Sequence, residues 1–186
     1  MTTEDIIATC TRVFASVGYD GLSMRTFAKE MGCSLSNLYY YYPSKDKLLH
    51  AMFDTVNIRL GKERLLLSKM DGTEALLRQR IRFQFAHAEE VVAILKYYMH
   101  FLQDVSKNEY GYLPPKAHLH IEEVLARGAD LGELNFKNVE KDAKLIAHMV
   151  NGFVLEYYPA IPQGEELEEL TDQLVSFAIR ALHTPT

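Results

Sequence analysis

The sequence predicts an all-α fold, on the basis of three observations. Apolar residues recur at spacings of three and four along most of the 186 residues, as they do on the buried faces of amphipathic helices. Glycines and prolines fall where these runs stop, which is typical of helix ends. No segment reads as a strand, an internal repeat or a low-complexity stretch. We therefore expect about nine helices: three short ones at the N-terminus, followed by a larger helical domain.

Composition and charge are those of an ordinary globular chain. Hydrophobic residues make up 48% and charged residues 24% of the sequence, and neither an uncharged apolar span of about twenty residues nor a signal-like N-terminus occurs. We expect a cytoplasmic protein whose two cysteines, Cys10 and Cys33, remain free thiols. The net charge is -5, but residues 1–48 hold five basic and five acidic residues, so the deficit lies entirely in residues 49–186. The overall charge is therefore compatible with a nucleic-acid partner at the N-terminus.

The first helix is expected to begin near Thr2 or Thr3, because Thr2 and Asp5 have the spacing of a capping box. We expect Gly18 to close this helix. Its apolar face is predicted to pack against the next two helices and consists of Ile6, Ile7, Cys10, Val13, Phe14 and Val17.

Two further short helices should meet across a tight turn. Ser23 precedes an apolar-periodic run and can cap it, while Gly32 supplies the left-handed backbone at its end. Ser34 is placed to cap the following helix, which Pro43 limits to about residues 35–42. This arrangement predicts a helix-turn-helix.

The second helix of the pair carries small polar residues at its front, where a recognition helix meets base edges. Ser36 and Asn37 are the candidates for base contacts, and Ser34 is more plausible as a cap. Tyr39 and Tyr40 should point outward, because four consecutive tyrosines cannot share one face of a helix. The alternative is a purely structural helical hairpin whose tyrosines are core.

The run from Gly32 to Leu49 resembles the helix-turn-helix signature of the TetR family of bacterial transcriptional regulators. A glycine-led turn, a Leu-Tyr-aromatic-Tyr block and a Ser-Lys-acidic pair occur here in that family's order. The resemblance implies a DNA-binding domain at residues 1–48 and a ligand-binding and dimerisation domain at residues 49–186. The departures are Cys33, Leu35 and the tyrosines at 40 and 41. Predicted DNA-binding residues are Ser23, Arg25, Ser34, Leu35, Ser36, Asn37, Tyr39, Tyr40 and Lys45.

The remaining pattern predicts the helices of the second domain. A long helix follows Ser44 to about Leu67, and Thr73 is expected to cap the next, which runs to about Ala88. Residues 90–105 are apolar on most sides, which favours a buried central helix. The resemblance implies that the last two helices pair with those of a second subunit, and the expected interface residues are Ile146, Val150, Val154, Leu170, Leu174 and Phe177.

A mostly apolar ligand pocket is also expected in the second domain, with no cofactor. Aromatic and soft residues with a few histidines are typical of such pockets, although plain core packing would use the same residue types. The predicted lining is Phe83, His87, Tyr98, Phe101, His118, Met149 and Phe153.

The resemblance thus implies a dimeric regulator, most simply a repressor released from a palindromic operator by a small apolar ligand. The pattern does not separate repressor from activator. The alternative is a helical-bundle metal-binding protein or enzyme, because His87 and Glu90, like His120 and Glu123, lie three apart on a helix. Their order is the reverse of the di-iron pattern, and no catalytic signature is present, so we expect no enzyme and no metal site.

Overall fold

The computed structural model describes residues 1–67, 72–102, 119–133 and 138–182. Within these ranges it has nine α-helices, a π-helical turn at Tyr98–Leu102 and no strand, which confirms the all-α fold. None of the helices in the described ranges has both the length and the hydropathy to cross a bilayer. The helices are α1 (Thr3–Gly21), α2 (Met24–Glu30), α3 (Leu35–Tyr41), α4 (Lys45–Leu66), α5 (Thr73–Ala86), α6 (Ala88–Tyr97), α7 (Leu119–Asp130), α8 (Val139–Tyr157) and α9 (Gly164–Leu182).

The chain divides into two compact units. Unit 1 consists of Met1–Gly61 with Glu89–Pro115, and unit 2 of Lys62–Ala88 with Lys116–Thr186. Helix α4 therefore begins in unit 1 and ends in unit 2. The functional division at residue 48 stays a prediction, since it concerns which residues touch DNA rather than which pack together.

Helix α1 begins with the predicted capping box, in which the Thr2 hydroxyl accepts from the Asp5 amide and the Asp5 carboxylate accepts from the Thr2 amide. Gly18 interrupts the helix at φ 68°, a left-handed conformation that favours glycine. The prediction that Val17 is core is wrong: 48% of it is exposed, whereas Thr11 and Ala15 are buried. Val17 therefore lies outside the buried face of α1, which consists of Ile6, Ile7, Cys10, Thr11, Phe14 and Ala15.

The turn between α2 and α3 has the predicted chemistry. The Ser23 hydroxyl accepts from the Thr26 amide, and the Ser34 hydroxyl accepts from the Asn37 amide, each at 3.1 Å. Gly32 has φ 64°, and the Cys33 amide donates to the Ala28 carbonyl across the turn. Leu38 is fully buried and anchors α3 in the core of unit 1.

The predicted cap of α5 is wrong. Gly72 is the N-cap residue, and Thr73 is the first residue of the helix. The Glu133 carboxylate accepts instead from the Thr73 amide at 2.8 Å and from its hydroxyl at 2.6 Å. A residue 60 positions away thus supplies the acceptor that the helix terminus needs, and local sequence cannot reveal such a partner.

The boundary after α5 also differs from the prediction. Helix α5 ends at Ala86, and Ala88 begins α6, since His87 leaves helical geometry between them. Helix α6 is buried along Val91 to Ala93, but 50% of Met99 is exposed in the π-helical turn that follows. The central helix predicted for residues 90–105 is therefore shorter and less buried at its end; its positions 103–105 lie outside the described residues.

Candidate nucleic-acid interface

The N-terminal half of α3 presents an exposed polar surface. Ser36 and Asn37 are exposed, and neither side chain forms a hydrogen bond with another described residue. Leu35 beside them is half-buried. These side chains are available for base edges in a major groove.

The hydroxyls of the two predicted caps are used within the protein. Ser23 and Thr26 bond each other's amides, and their hydroxyls lie 2.8 Å apart. Ser34 is occupied by the Asn37 amide. Both serines are exposed, and their backbone carbonyls accept from the amides of Phe27 and Leu38. Their contribution to DNA contact stays a prediction, with capping as their observed role.

Arg25 on α2 and two tyrosines of α3 are also exposed. Arg25 is exposed and makes no ion pair or hydrogen bond with the described residues. Tyr40 is 85% exposed and Tyr39 45% exposed, which is unusual for large aromatic side chains. Tyr40 packs edge-on against Tyr41. Exposed phenols next to a recognition helix can donate to phosphate oxygens.

Lys45 also forms contacts within the protein that the sequence did not predict. Its ammonium donates to the carbonyls of Tyr19 (3.1 Å) and Leu22 (3.2 Å) and lies 3.6 Å from the centroid of the Tyr19 ring. The Tyr19 hydroxyl in turn donates to Asp46 at 2.7 Å. Lys45 therefore ties the start of α4 to the end of α1, which leaves one ammonium proton for the predicted phosphate contact.

Lys96 was missed by the sequence analysis. Its ammonium donates to the carbonyls of Ala15 (2.5 Å) and Ser16 (3.1 Å), just before the break at Gly18. Its position after the apolar run from Val91 to Leu95 is a signal that could have suggested it.

The residues predicted for the ligand pocket fall in different places. Phe83 and His87 lie in unit 2, where their rings are 4.3 Å apart and His87 contacts Glu63 at 3.3 Å. Tyr98 and Phe101 belong to unit 1, where Phe101 packs on the Tyr97 ring. His118 lies outside the described residues. The structure therefore does not gather these side chains within one unit.

Met149 and Phe153 instead line a groove between α8 and α9, with a volume of about 1420 Å³. Four of the residues predicted for the dimer interface line the same groove: Ile146, Leu170, Leu174 and Phe177. The other two, Val150 and Val154, are 2% and 0% exposed and belong to the core of unit 2. Helical periodicity alone could not tell which of the two apolar faces of α8 turns inward.

The metal alternative receives no support from geometry. Within the described ranges no group of three or more His, Cys, Asp or Glu side chains is arranged to hold a metal ion.

Comparisons with known proteins agree with this arrangement. Residues 6–52 match the family model described as bacterial regulatory proteins, tetR family. An uncharacterized HTH-type transcriptional regulator encoded in the dhlA 5' region of Xanthobacter autotrophicus is 26% identical over 185 residues, covering 97% of this chain and 90% of the relative.

Two solved structures share the fold. The TetR-family regulator PfmR from Thermus thermophilus superposes with a TM-score of 0.72 at 18% identity, over 96% of this chain and 99% of that one. AibR, solved in complex with isovaleryl coenzyme A and operator DNA, has a TM-score of 0.70 at 21% identity, over 95% and 97%. Residues 6–52 thus match the tetR family of bacterial regulatory proteins, and the chain has the same fold as solved regulators of that family.

Proposed function

We propose that the chain is a homodimeric repressor that binds a palindromic operator with α3 and is released by a small, mainly apolar ligand. The observation that carries the proposal is the exposed, unbonded polar surface of Ser36 and Asn37 at the front of α3, together with the exposed Arg25 on α2. Arg25 is suited to a guanine edge or a phosphate, and Tyr39, Tyr40 and Lys45 to the DNA backbone. AibR, which has the same fold, was solved with operator DNA and a ligand, which supports both halves of the proposal.

The groove between α8 and α9 supports dimerisation with a second copy of this chain. Leu145 is 61% exposed and Phe177 57% exposed, an apolar surface that a monomer would leave in water. Its rim carries both signs of charge, including Asp142, Glu169 and Arg180. A twofold axis places each patch against its own copy, so that the acidic rim of one subunit can face Arg180 of the other.

A dimer makes binding depend on the distance between its two recognition helices. Half-sites read by such a dimer lie about one helical turn, roughly 34 Å, apart. Helix α4 starts directly behind α3 and ends in unit 2, so it provides a covalent route from ligand to DNA-binding surface. To release the DNA, the ligand must bind more tightly to the conformation that does not bind DNA. A preference of about 5.5 kcal/mol shifts the ratio of the two conformations from 1:99 to 99:1.

The geometry is tested with an operator selected from a random duplex library by the full-length protein. Inserting about five base pairs, half a helical turn, between the half-sites should abolish high-affinity binding, because the two α3 helices would then face opposite sides of the duplex. An insertion of about ten base pairs is the matched control for added length. Affinity that does not change with the shorter insertion would contradict the dimeric arrangement.

A further inference from the structure

Two arginines lie together inside unit 2, Arg64 in the last turn of α4 and Arg80 in α5. Arg80 is 3% exposed, and its guanidinium donates to the Arg64 carbonyl at 2.6 Å. The Nε atoms of both side chains are buried and have no hydrogen-bond partner. Burial, and to a lesser extent the charge of Arg80, lower the pKa of Arg64 to about 10, which still leaves Arg64 charged at neutral pH.

The side chains that contact the Arg64 guanidinium are neutral. Arg64 donates to the Gln84 side-chain carbonyl at 3.0 Å and lies 5.4 Å from the centroid of the Phe83 ring. The Gln84 amide is itself held by Asn151 at 2.9 Å. No carboxylate in the described parts of the chain forms an ion pair with either guanidinium. Burial lowers the pKa of Arg80, and the charge of Glu123, at longer range, only partly offsets that shift.

Such an arrangement is costly without a negative partner. Burying a charge without a counter-charge or a full set of hydrogen bonds is strongly unfavourable, and two like charges increase that cost. The hydrogen bond from Arg80 to the Arg64 carbonyl at the end of α4 uses one of the five N–H donors of Arg80. This bond does not account for the buried position of the Arg64 side chain or for the two Nε donors that lack a partner.

We propose that Arg64 and Arg80 bind the oxyanion of the effector, a carboxylate or a phosphate carried on an apolar body. Guanidinium groups present a planar fork that matches both oxyanions. Arg64 keeps exposed surface, so the site can be reached, and Phe83 offers an apolar wall beside it. This inference rests on the proposed function, since it names the chemical class of the ligand that would release the DNA.

The position of the pair connects the site with the DNA-binding helices. The Arg64 carbonyl that Arg80 caps belongs to the last turn of the helix that begins at Lys45. An anion that recruits Arg80 competes with that carbonyl for the guanidinium and changes the C-terminal cap of α4. Ligand charge thereby acts on a helix that begins in unit 1 and ends in unit 2.

The test is thermal unfolding of the full-length protein with matched alkyl probes. Straight-chain carboxylates and monoalkyl phosphates of about four to twelve carbons are compared with the alcohols of equal length, below their micelle concentrations. Carboxylates, phosphates or both should raise Tm by several degrees at saturation, and the alcohols should do so much less. The two anion arms identify which oxyanion the site prefers.

Three variants test whether the anion-dependent rise in Tm depends on Arg64 and Arg80. Arg64→Gln should abolish the anion-dependent shift and leave the Tm of the free protein equal or higher, since one buried charge is removed. Arg80→Lys keeps a positive charge and a donor for the Arg64 carbonyl but loses the planar guanidinium, so the anion-dependent rise in Tm should be smaller. Arg82→Gln, on the same helix but exposed and paired with Glu168, should leave the shift unchanged.

Two results would overturn the proposal. One is equal stabilisation by anions and alcohols at every chain length; the other is an anion effect that persists in Arg64→Gln. Operator binding by each variant without ligand is measured in parallel. Intact operator binding with no anion effect rejects only this inference, whereas an anion effect without any DNA binding rejects the proposed function.

Discussion

The Lys96 ammonium donates to the Ala15 carbonyl at 2.5 Å and thereby holds α6 to the end of the regular part of α1. A second bond to the Ser16 carbonyl, at 3.1 Å, completes a cationic cap immediately before Gly18 breaks the helix. Cations are favourable at helix C-termini, where unsatisfied carbonyls gather. Unit 1 thus consists of the helix-turn-helix together with a helix from later in the chain.

Lys96→Met should destabilise the protein. It keeps the apolar stem but removes two charge-assisted hydrogen bonds, so we expect a loss of about 1.5–3 kcal/mol, seen as a Tm lower by several degrees. Lys144→Met, which removes an exposed pair with Glu140, is the control and should change Tm little. Equal effects of the two variants would show that the cap contributes nothing beyond surface charge.

Tyr19 predicts a loss of stability at alkaline pH. Burial, the hydrogen bond to Asp46 and the nearby carboxylates raise the pKa of Tyr19 to about 12, from an ordinary value near 10. The unfolded chain therefore ionises first, so this contribution is complete below about pH 10 and is lost between about pH 10 and 12. Thermal melts across this range should show a steeper decline for the wild type than for Tyr19→Phe; parallel declines would count against the assignment.

His50 predicts a second, acidic dependence. It is 4% exposed and hydrogen-bonded to the Tyr97 hydroxyl, and burial lowers its pKa below the usual 6.5. The unfolded state takes up the proton first, so this contribution is present above about pH 6.5 and is lost as the pH falls towards the folded-state pKa. His50→Gln should be less stable than the wild type at about pH 7.5 and lose less stability between about pH 7 and 5, as measured by chemical denaturation.

The proposed dimer can be broken at the groove between α8 and α9. Phe177→Glu places a charge in the centre of an apolar patch and should yield monomers in sedimentation equilibrium, with loss of high-affinity operator binding. Ile58→Glu is the control, because Ile58 is equally exposed, at 58%, but lies on α4. A dimer that persists in Phe177→Glu would place the interface elsewhere.

Arg25 should contribute specificity at one base position. If it reads a guanine, Arg25→Ala costs about 1–3 kcal/mol on the selected operator and relaxes preference at that position only. Lys29→Ala, an exposed basic residue in the last turn of the same helix, should weaken all duplexes alike or not at all. Competition binding with singly substituted operators distinguishes the two patterns.

Local chemistry explains why the N-terminal helices were predictable. The caps at Thr2, Ser23 and Ser34 and the left-handed Gly32 each depend on residues within four positions, so their spacing in the sequence is sufficient. The exposure of Tyr40 followed from helix geometry alone.

Long-range partners explain what could not be predicted. Glu133 caps α5 from 60 residues away. Lys45, a predicted phosphate contact, also donates hydrogen bonds to the carbonyls of Tyr19 and Leu22. Arg80 and Gln84 interrupt the apolar stripe of α5 at core positions, and this was a readable sign of a polar site within unit 2. The pairing of Arg80 with Arg64 nevertheless required the packed structure.

The most direct test of the central claim is fluorescence anisotropy with an operator selected from a random library, comparing wild type, Asn37→Ala and Tyr39→Phe on operator and scrambled duplex. If α3 reads the sequence, the wild type should bind the operator tightly, Asn37→Ala should lose sequence preference, and Tyr39→Phe should bind both duplexes more weakly to the same extent. Wild-type protein that binds operator and scrambled DNA equally weakly, or an Asn37→Ala variant that retains full selectivity, would contradict the assignment of α3 as the sequence-reading helix.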